Sequence, residues 1–348
     1  RVRVIIKGKK NKINLMNLKK KTFIIAEAGN NHEGNFKVAK KLILKAKECG
    51  ADAVKFQTFI PEYFVLKSNK ERYKQLKNFQ LSFSQFKKLS DYSKKIGIVF
   101  FSTPFDIEGA KFLNKIQKIF KISSGDNNFY PLIETIANFN KSIFLSTGLA
   151  NIEQIGKAKK LINNLWKKKV KNKKKLAILH CVSSYPVVES EANLLAIETL
   201  KNKFPDCTIG YSDHTMGILA PIAAVTLGAR IIEKHFTLDK SFSSFHDHKI
   251  SANPKEMKEM VGKIRKIELM LGNGKKELQI SEKKNLKFMR RSIVAKIDIP
   301  KGKKIELDDI NWVRLSGGLA PGYEKKIINK KSLRNIKMGT KIKLSQIK

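Results

Sequence analysis

From about residue 22 the sequence alternates short β-branched or aromatic segments with amphipathic helical segments, and this alternation restricts the fold more than any other feature. We predict strands at residues 22–27, 53–58, 97–103, 119–124, 142–147, 176–181, 207–212 and 229–235. We predict helices at residues 36–48, 84–95, 107–115, 131–139, 151–165, 193–202, 217–227 and 254–271. Such strand–helix units are typical of an α/β protein of the (β/α)8, or TIM-barrel, class. A doubly wound open sheet is the alternative, but GNNHEG at 29–34 lacks the expected GxGxxG pattern.

The sequence changes character after Gly272. We predict a barrel domain at 22–271, a polar linker at 272–288 and a small β-rich domain at 289–348. Within the last domain, the pattern I-x-x-G-x-K-I-x-L-x-x-I occurs at 299–310 and again at 336–347. This repeat indicates one module built from two similar strand–turn–strand arms. Residues 1–21 carry nine Lys or Arg and no acidic residue, so we treat them as a basic N-terminal extension.

The charge of the chain is strongly positive, with 71 basic residues, 30 acidic residues and a net charge of +41. The lysines are spread over all helix faces, as at 37–47, and no helix-turn-helix, RNP or zinc-finger pattern is present. We therefore predict a solvated lysine-rich surface and no nucleic-acid partner. Such a surface would attract an anionic substrate.

No apolar segment approaches the roughly 20 residues that a membrane helix requires. Residues 1–21 also lack the apolar core of a secretion signal. We therefore expect a cytoplasmic protein with no membrane partner. Cys49, Cys181 and Cys207 are odd in number and widely spaced, so we predict buried free thiols rather than a disulfide framework or a zinc knuckle.

Polar residues collect where the predicted strands end. All six histidines lie at the C-terminal end of a predicted strand or in the loop that follows: His32, His180, His214, His235, His246 and His248. In a TIM barrel these strand ends converge on one face, where the active site is formed. Carboxylates occupy the same ends, among them Glu27, Asp126 and Glu233. The sequence therefore predicts an active site at this face.

Two lysines, Lys55 and Lys121, lie within apolar strands. A charge inside a barrel mouth requires a counter-charge or an anionic ligand. One interpretation is a salt bridge to Glu27 or Glu233. The interpretation we favour is a binding site for a small doubly anionic substrate, because hydroxyls suited to phosphate and carboxylate oxygens lie nearby. Those hydroxyls belong to Ser124, Ser146 and Ser212.

The pair His214 and His235 comes from adjacent predicted strand ends. Each alone is more often a hydrogen-bonded core histidine. Together, beside carboxylates, they suggest an open, oxygen-rich divalent metal site completed by water and substrate.

At these residues the chain resembles the sialic acid synthase family, which includes the N-acetylneuraminate, legionaminate and pseudaminate synthases. The resemblance is carried by seven ordered segments, at 23–59, 101–106 (FSTPFD), 121–126 (KISSGD), 145–148 (LSTG), 179–186 (LHCVSSYP), 209–215 (IGYSDHT) and 233–239 (EKHFTLD). The segments at 289–295 and 312–321 resemble the antifreeze-like (SAF, β-clip) domain that these enzymes carry.

The resemblance implies a metal-dependent transferase that condenses phosphoenolpyruvate with an N-acetylmannosamine-like amino sugar, giving a nonulosonic acid and phosphate. It implies that phosphoenolpyruvate is held by Lys55, Lys121, Ser124, Ser146, Ser183 and Ser212. The sugar would contact Gln57, Asp126, Tyr185, Asp247 and Arg314, and His214 and His235 would bind Mn2+ or Mg2+. Arg314 would enter from the partner subunit of a domain-swapped homodimer. The candidate catalytic groups are Glu27, Lys55, Lys121, Asp126 and Glu233, with individual roles left open.

The sequence departs from the family pattern mainly on the sugar side. Ser183 stands where many relatives have Asn, and Asp126 stands where Glu is frequent. The segment before Asp247 reads FHDH instead of GPDH, with one extra residue in the loop, and the arginine motif RPGTG reads RLSGG. The identity of the sugar therefore stays open.

Two other functions remain alternatives. The first is a phosphoenolpyruvate–aldose condensation that uses a sugar phosphate, which would need a second phosphate site. The second is a non-catalytic carbohydrate-binding or ice-binding protein, suggested by the C-terminal domain alone. It leaves the polar residues at the strand ends without a role.

Overall fold

The computed structural model describes residues 21–167, 175–314 and 316–348. The described chain forms two compact units that divide between Gly272 and Asn273. Residues 1–20, nearly all of the predicted basic extension, lie outside the described residues.

In the described part of the first unit, eight parallel strands form one sheet. They are β1 (Phe23–Gly29), β2 (Ala53–Thr58), β3 (Val99–Pro104), β4 (Ile119–Ile122), β5 (Ser142–Ser146), β6 (Leu176–Cys181), β7 (Thr208–Asp213) and β8 (Ile231–His235). Their order is β3-β2-β1-β8-β7-β6-β5-β4, and β3 and β4 also lie next to each other. The sheet therefore nearly closes on itself, which confirms the predicted TIM barrel.

Helices follow the strands around the sheet. They are α1 (Phe36–Glu48), α2 (Pro61–Phe64), α3 (Lys70–Phe79), α4 (Phe83–Ile96), α5 (Ile107–Leu113), α6 (Tyr130–Asn138), α7 (Ile152–Lys167), α8 (Ala196–Lys203), α9 (Leu219–Thr226), α10 (His246–Ile250) and α11 (Pro254–Met270). The sequence did not predict α2, α3 or α10. These helices are short or weakly apolar, and all three lie in loops at the C-terminal ends of strands.

Local sequence signals set the helix ends. Before α4, the Ser82 side chain accepts from the backbone N–H of Gln85, whose side chain accepts from the N–H of Ser82, forming a capping box. The helix ends at Gly97, which adopts φ +76°, a left-handed conformation that glycine adopts without steric cost. At the N-terminus of α1, the Asn35 side chain accepts hydrogen bonds from the backbone N–H groups of Lys37 and Val38.

Strand residues alternate between the barrel interior and the helix layer. The interior contains an apolar cluster with Ile25, Ala53, Ile119 and Ile231, while their neighbours pack under the helices. Two positions further along these same strands, on the same face, are charged residues: Glu27, Lys55, Lys121 and Glu233. The charges therefore lie inside the barrel directly beyond an apolar layer.

The second unit contains α12 (Ile280–Lys283), α13 (Leu286–Met289) and the antiparallel strands β9 (Arg291–Ala295) and β10 (Ile310–Arg314). The stretch predicted as a linker contains α12 and all but the last residue of α13. The core of this unit is rich in isoleucine, and the predicted repeat is visible in it. Ile299 and Ile336, the first residues of the two copies, pair with each other, and Ile305 and Ile342 are both buried. Gly302 and Gly339 adopt φ +86° and +79° at equivalent turns.

The cysteines are free thiols: Cys49 and Cys181 are buried, whereas Cys207, predicted to be buried, is only partly so. Within the described residues, no helix has both the length and the apolar character needed to cross a membrane.

A fully buried ion pair joins the outward faces of β7 and β8. Lys234 Nζ lies 2.6 Å from Asp213 Oδ2 and also donates to the carbonyl of Thr215. Asp213 Oδ1 accepts from the Tyr211 hydroxyl and from the backbone and side chain of Thr215. This network holds the turn that contains His214.

Removing one member of this pair should destabilise the barrel, because the other charge is left buried without a partner. We expect Lys234→Met to lower the free energy of unfolding by about 3–5 kcal/mol, measured by urea denaturation. The control Lys87→Met removes an exposed ion pair with Asp91 and should cost less than about 1 kcal/mol. Adding Asp213→Asn to Lys234→Met should recover much of the loss. Equal effects of Lys234→Met and Lys87→Met would contradict this interpretation.

Candidate active site

Four buried charges meet inside the C-terminal end of the barrel, and we call Glu27, Lys55, Lys121 and Glu233 the four-charge cluster. Lys55 Nζ lies 2.9 Å from Glu27 Oε2 and 3.6 Å from Glu233 Oε1. Lys121 Nζ lies 3.0 Å from Glu233 Oε1. The salt bridges that the sequence left as an alternative are therefore present.

The pKa values of the two glutamates in the cluster are shifted in opposite directions. Burial raises the pKa of Glu27 to about 7, although Lys55 opposes the shift. Burial also acts to raise the pKa of Glu233, but Lys121 and Lys55 outweigh it and hold that pKa at about 2. Near neutral pH, Glu27 therefore exchanges a proton while Glu233 stays ionised. Such a pair provides one group for proton transfer, Glu27, and one permanent negative charge, Glu233.

Hydroxyl groups lie at the C-terminal ends of the adjacent strands β4, β5 and β6, and those of Ser124 and Ser183 flank Gly148, two residues after β5. Ser124 Oγ accepts from the backbone N–H of Gly148 at 3.1 Å. Ser146 Oγ and Ser183 Oγ are buried and have no hydrogen-bond partner among the described residues. A Cβ at position 148 would lie 2.2 Å from Ser183 Oγ and 2.8 Å from Ser124 Oγ. Because buried hydroxyls are normally satisfied, unpartnered ones at a strand end indicate a binding site for a polar ligand. We call Ser124, Ser146, Ser183 and Gly148 the hydroxyl pocket.

Ser212 instead donates to the four-charge cluster. Its hydroxyl lies 2.9 Å from Glu233 Oε1, the oxygen that also contacts both lysines. The other carboxylate oxygen, Glu233 Oε2, is buried without a hydrogen-bond partner among the described residues. The cluster is thus open to a further donor or a water at that oxygen.

The two histidines predicted to bind a metal lie side by side, with ring centroids 5.3 Å apart. His214 Nδ1 is 2.8 Å from the carbonyl oxygen of Val182, so Nδ1 carries a proton and, in the neutral ring, Nε2 presents its lone pair. Burial lowers the pKa of His235 to about 3, which keeps its ring neutral. Tyr185 covers the pair, with its ring 4.2 Å from that of His214.

The donor set fits a divalent cation, since an imidazole in its neutral form offers a lone pair to a metal. His235 Nδ1 is buried and has no hydrogen-bond partner in the described part of the chain. Among the described residues, no group of three or more His, Cys, Asp or Glu is arranged to hold a metal ion. A cation held here would thus take most of its ligands from substrate and water.

The residues predicted to contact the sugar lie on several elements. Gln57 donates to Glu27 Oε1 at 3.4 Å, and Asp247 Oδ2 lies 3.8 Å from His235 Nδ1, so both adjoin the groups above. Asp126 lies on a half-buried turn and accepts a hydrogen bond from Ser123. Arg314 ends β10 in the second unit and is exposed.

Three residues outside the predicted set also lie in this region. Thr103 Oγ1 accepts a hydrogen bond from Lys55 Nζ at 2.9 Å. The backbone N–H of Gly148 donates to Ser124 in the hydroxyl pocket. Cys181 Sγ lies 3.8 Å from His214 Nδ1. Strand alternation would have indicated Cys181, because it follows Leu179 on the interior face. The same alternation turns His180 outwards, where it stacks on Tyr211 and bonds the carbonyl of Ala192.

A TIM barrel with paired buried charges and unpartnered hydroxyls at its C-terminal face defines an enzyme that acts on a small polar substrate. Residues 42–276 match the NeuB family, and residues 290–348 match the SAF domain. The chain belongs to the NeuB family and carries a C-terminal SAF domain.

Individual relatives agree with this assignment. The chain is 41% identical over 332 residues to the N,N'-diacetyllegionaminic acid synthase of Campylobacter jejuni, covering 91% of this chain and 98% of that protein. It is 35% identical over 299 residues to the N-acetylneuraminate-9-phosphate synthase of Mus musculus, covering 82% and 81%. The crystal structure of the N-acetylneuraminic acid synthetase of Leptospira borgpetersenii in complex with citrate is similar with a TM-score of 0.71 and 40% identity, covering 76% of this chain and 90% of that one.

The raised pKa of Glu27 can be tested directly. Because its pKa rises from 4.5 to about 7, the carboxyl should remain protonated at pH 6 and lose its proton near pH 7. Infrared difference spectra of wild type against Glu27→Gln should show the protonated carboxyl band vanishing with that midpoint. The control Glu62→Gln removes a carboxyl whose pKa is lowered to about 2 by Lys77 and Tyr73, so the band should remain. A midpoint near 4.5 would contradict the assignment.

Proposed function

We propose that this protein condenses phosphoenolpyruvate with an N-acetylmannosamine-like amino sugar, giving a nonulosonic acid and phosphate. The proposal rests on one observation: the C-terminal end of the barrel holds two buried lysines paired with glutamates, together with buried hydroxyls that have no hydrogen-bond partner among the described residues. The relatives described above are named for products of this kind.

Phosphoenolpyruvate suits the cluster because it carries two anionic groups at a fixed short separation. Lys55 and Lys121 would exchange part of their contact with Glu27 and Glu233 for the substrate oxygens. Ser146 and Ser183 have hydroxyls without partners among the described residues, and these would donate to the phosphate. The ion pairs keep both lysines extended in the absence of substrate, which reduces the reorganisation needed on binding.

In the reaction, C3 of phosphoenolpyruvate forms a bond with the aldehyde carbon of the open-chain sugar, and the aldehyde oxygen takes up a proton to become a hydroxyl. Water then adds to C2, and phosphate leaves by cleavage of the C2–O bond. Glu27 has a pKa near 7 and would take up the proton of that water. Glu233 stays ionised and would stabilise positive charge that develops at C2.

We propose that the divalent cation, Mn2+ or Mg2+, is held by His214 and His235. When bound, it would polarise the aldehyde oxygen of the sugar. The Val182 carbonyl orients the ring of His214, and Tyr185 shields the pair from solvent on one side.

The acceptor is either a free amino sugar or its phosphate, since the relatives include enzymes named for both kinds of product. We favour the free sugar. The predicted sugar contacts Gln57 and Asp247 are an amide and a carboxylate that adjoin the reacting groups, and neither attracts a phosphate. The domain-swapped homodimer completed by Arg314 and the cytoplasmic location stay predictions from the sequence.

Release of phosphate tests the function. We expect wild type with a divalent cation to release phosphate from phosphoenolpyruvate only when an acetamido sugar is present. Lys121→Met should lower kcat/KM at least about a thousandfold, because the substrate loses a buried positive charge. The control Lys118→Met removes an exposed lysine three residues earlier and should behave as wild type. Normal activity of Lys121→Met, with an unchanged circular dichroism spectrum, would refute the proposed role of the cluster.

Binding of phosphoenolpyruvate should depend on Gly148, because the hydroxyl pocket has no room for a side chain at this position. In Gly148→Ala the added methyl would overlap Ser183 Oγ at 2.2 Å, so the pocket must widen and KM for phosphoenolpyruvate should rise at least about tenfold. Gly156→Ala is the matched control, because among the described residues no atom outside its own stretch of helix lies within 4 Å of its added Cβ. Steady-state kinetics of both variants would decide the point, and an unchanged KM in Gly148→Ala would place the phosphate elsewhere.

A further inference from the structure

The turn after β5 contains a strained residue. Leu149 adopts φ +62°, in the left-handed region that a branched side chain occupies only at a steric cost. Within the described residues, the other non-glycine residues with positive φ are Glu33 and three asparagines, and asparagine tolerates this conformation better than leucine. The Leu149 side chain is 78% exposed, so its burial does not offset the strain. Contacts of the surrounding backbone must therefore hold this residue in place.

The strain follows from the order of two neighbouring residues. The backbone N–H of Ala150 donates to the carbonyl of Thr147 at 3.3 Å, which closes a turn with Gly148 and Leu149 at its centre. In a turn with positive φ at the third residue, as in type II, that position is normally taken by Gly or Asn. Here the glycine stands one residue earlier, where a Cβ would lie 2.2 Å from Ser183 Oγ. The hydroxyl pocket thus requires glycine at position 148, and Leu149 takes up the left-handed conformation.

Two side chains from the turn after β4 hold the peptide groups on either side of Gly148. Ser124 Oγ accepts from the N–H of Gly148 at 3.1 Å, and Asn127 Nδ2 donates to the carbonyl of Gly148 at 2.8 Å. The first bond fixes the peptide group before Gly148, and the second fixes the peptide group that joins Gly148 to Leu149. Because peptide groups are planar, Leu149 leaves positive φ by rotation of this second group. The hydrogen bond from Asn127 opposes that rotation directly.

The position of Asn127 suits a role in holding the backbone. Within the described chain, its side chain makes one hydrogen bond, the one to Gly148. Without that bond, the peptide group before Leu149 could rotate and release the strain. The Gly148 backbone would then shift inside a pocket that has no space for even one added methyl group. Since close-packed groups cannot absorb such a shift, the hydroxyls around Gly148 would change position.

We propose that Asn127 is a positioning residue for phosphoenolpyruvate. By holding the Gly148 carbonyl, it keeps the strained peptide group before Leu149 in the orientation that leaves the hydroxyl pocket open to the phosphate. The inference rests on the proposed function and adds to it a residue that touches neither the substrate nor the reacting atoms. The strain and the bond are coupled: loss of the bond releases the strain, and loss of the strain makes the bond unnecessary.

Steady-state kinetics of Asn127→Leu tests the role of the bond, because leucine is similar in size to asparagine and has no donor. KM for phosphoenolpyruvate should rise at least about tenfold while kcat stays within about threefold, since the four-charge cluster is not disturbed. Asn127→Ala, which removes the donor without adding bulk, should give the same result. Asn128→Leu is the matched control. Its side chain is exposed and has no hydrogen bond within the described residues, so this variant should behave as wild type.

Leu149→Gly separates positioning from a general loss of stability. Glycine adopts positive φ without steric cost, so this variant alone should keep KM for phosphoenolpyruvate within about twofold of wild type. In the double variant Asn127→Leu/Leu149→Gly, KM should return to within about threefold of wild type. An effect of Asn127→Leu on overall stability, or through the neighbouring Asp126, would show no such recovery, because neither depends on the side chain at 149. A KM that stays raised in the double variant would overturn the inference.

Calorimetric binding of phosphoenolpyruvate and of inorganic phosphate, without a sugar, separates this inference from the proposed function. Both Kd values should rise at least about tenfold in Asn127→Leu and recover in the double variant. That result would support the inference even if wild type turned over no acetamido sugar, which would refute the function alone. Turnover by wild type with unchanged phosphoenolpyruvate binding in Asn127→Leu would overturn the inference and leave the function standing. A loss of kcat with unchanged KM in Asn127→Leu would also overturn it.

Discussion

The pairing of Lys55 and Lys121 with Glu27 and Glu233 is the interaction on which the site depends. Four charges inside a barrel are tolerated only if each has a counter-charge close by, and the distances of 2.9 and 3.0 Å provide this. The pairing also gives the two glutamates different pKa values. Glu233 contacts both lysines and stays ionised, whereas Glu27 has a pKa near neutrality. An anionic substrate can then replace carboxylate oxygens around lysines that are already in position.

The rest of the fold serves this arrangement. The apolar layer formed by residues such as Ile25 and Ile119 fills the barrel below the charges and excludes water from that side. On the outer faces of β7 and β8, the buried pair Asp213–Lys234 holds the turn that presents His214 beside His235. Charges on the inner face and charges on the outer face thus stabilise the same two strand ends from opposite sides.

Much of the barrel could be predicted because its signal is local and periodic. The strands at 53–58 and 176–181 and the helix at 36–48 match the structure residue for residue. Short helices were missed: α3 carries polar residues on most of its surface, and α10 has only five residues, too few for a periodic pattern. Thr103 and Gly148 could not be assigned contacts, since their neighbours Lys55 and Ser183 are distant in sequence.

By itself, the sequence determined the class of fold, the family and the face on which polar residues gather, because strand and helix periods and ordered motifs are properties of neighbouring residues. Only the tertiary structure decided which charges are partners, which of two glutamates contacts both lysines, and that His180 turns away from the site while Cys181 turns towards it. It also decided that the Asn127 side chain donates to the carbonyl of Gly148. These properties depend on distances between segments far apart along the chain, and such distances exist only after the barrel has closed.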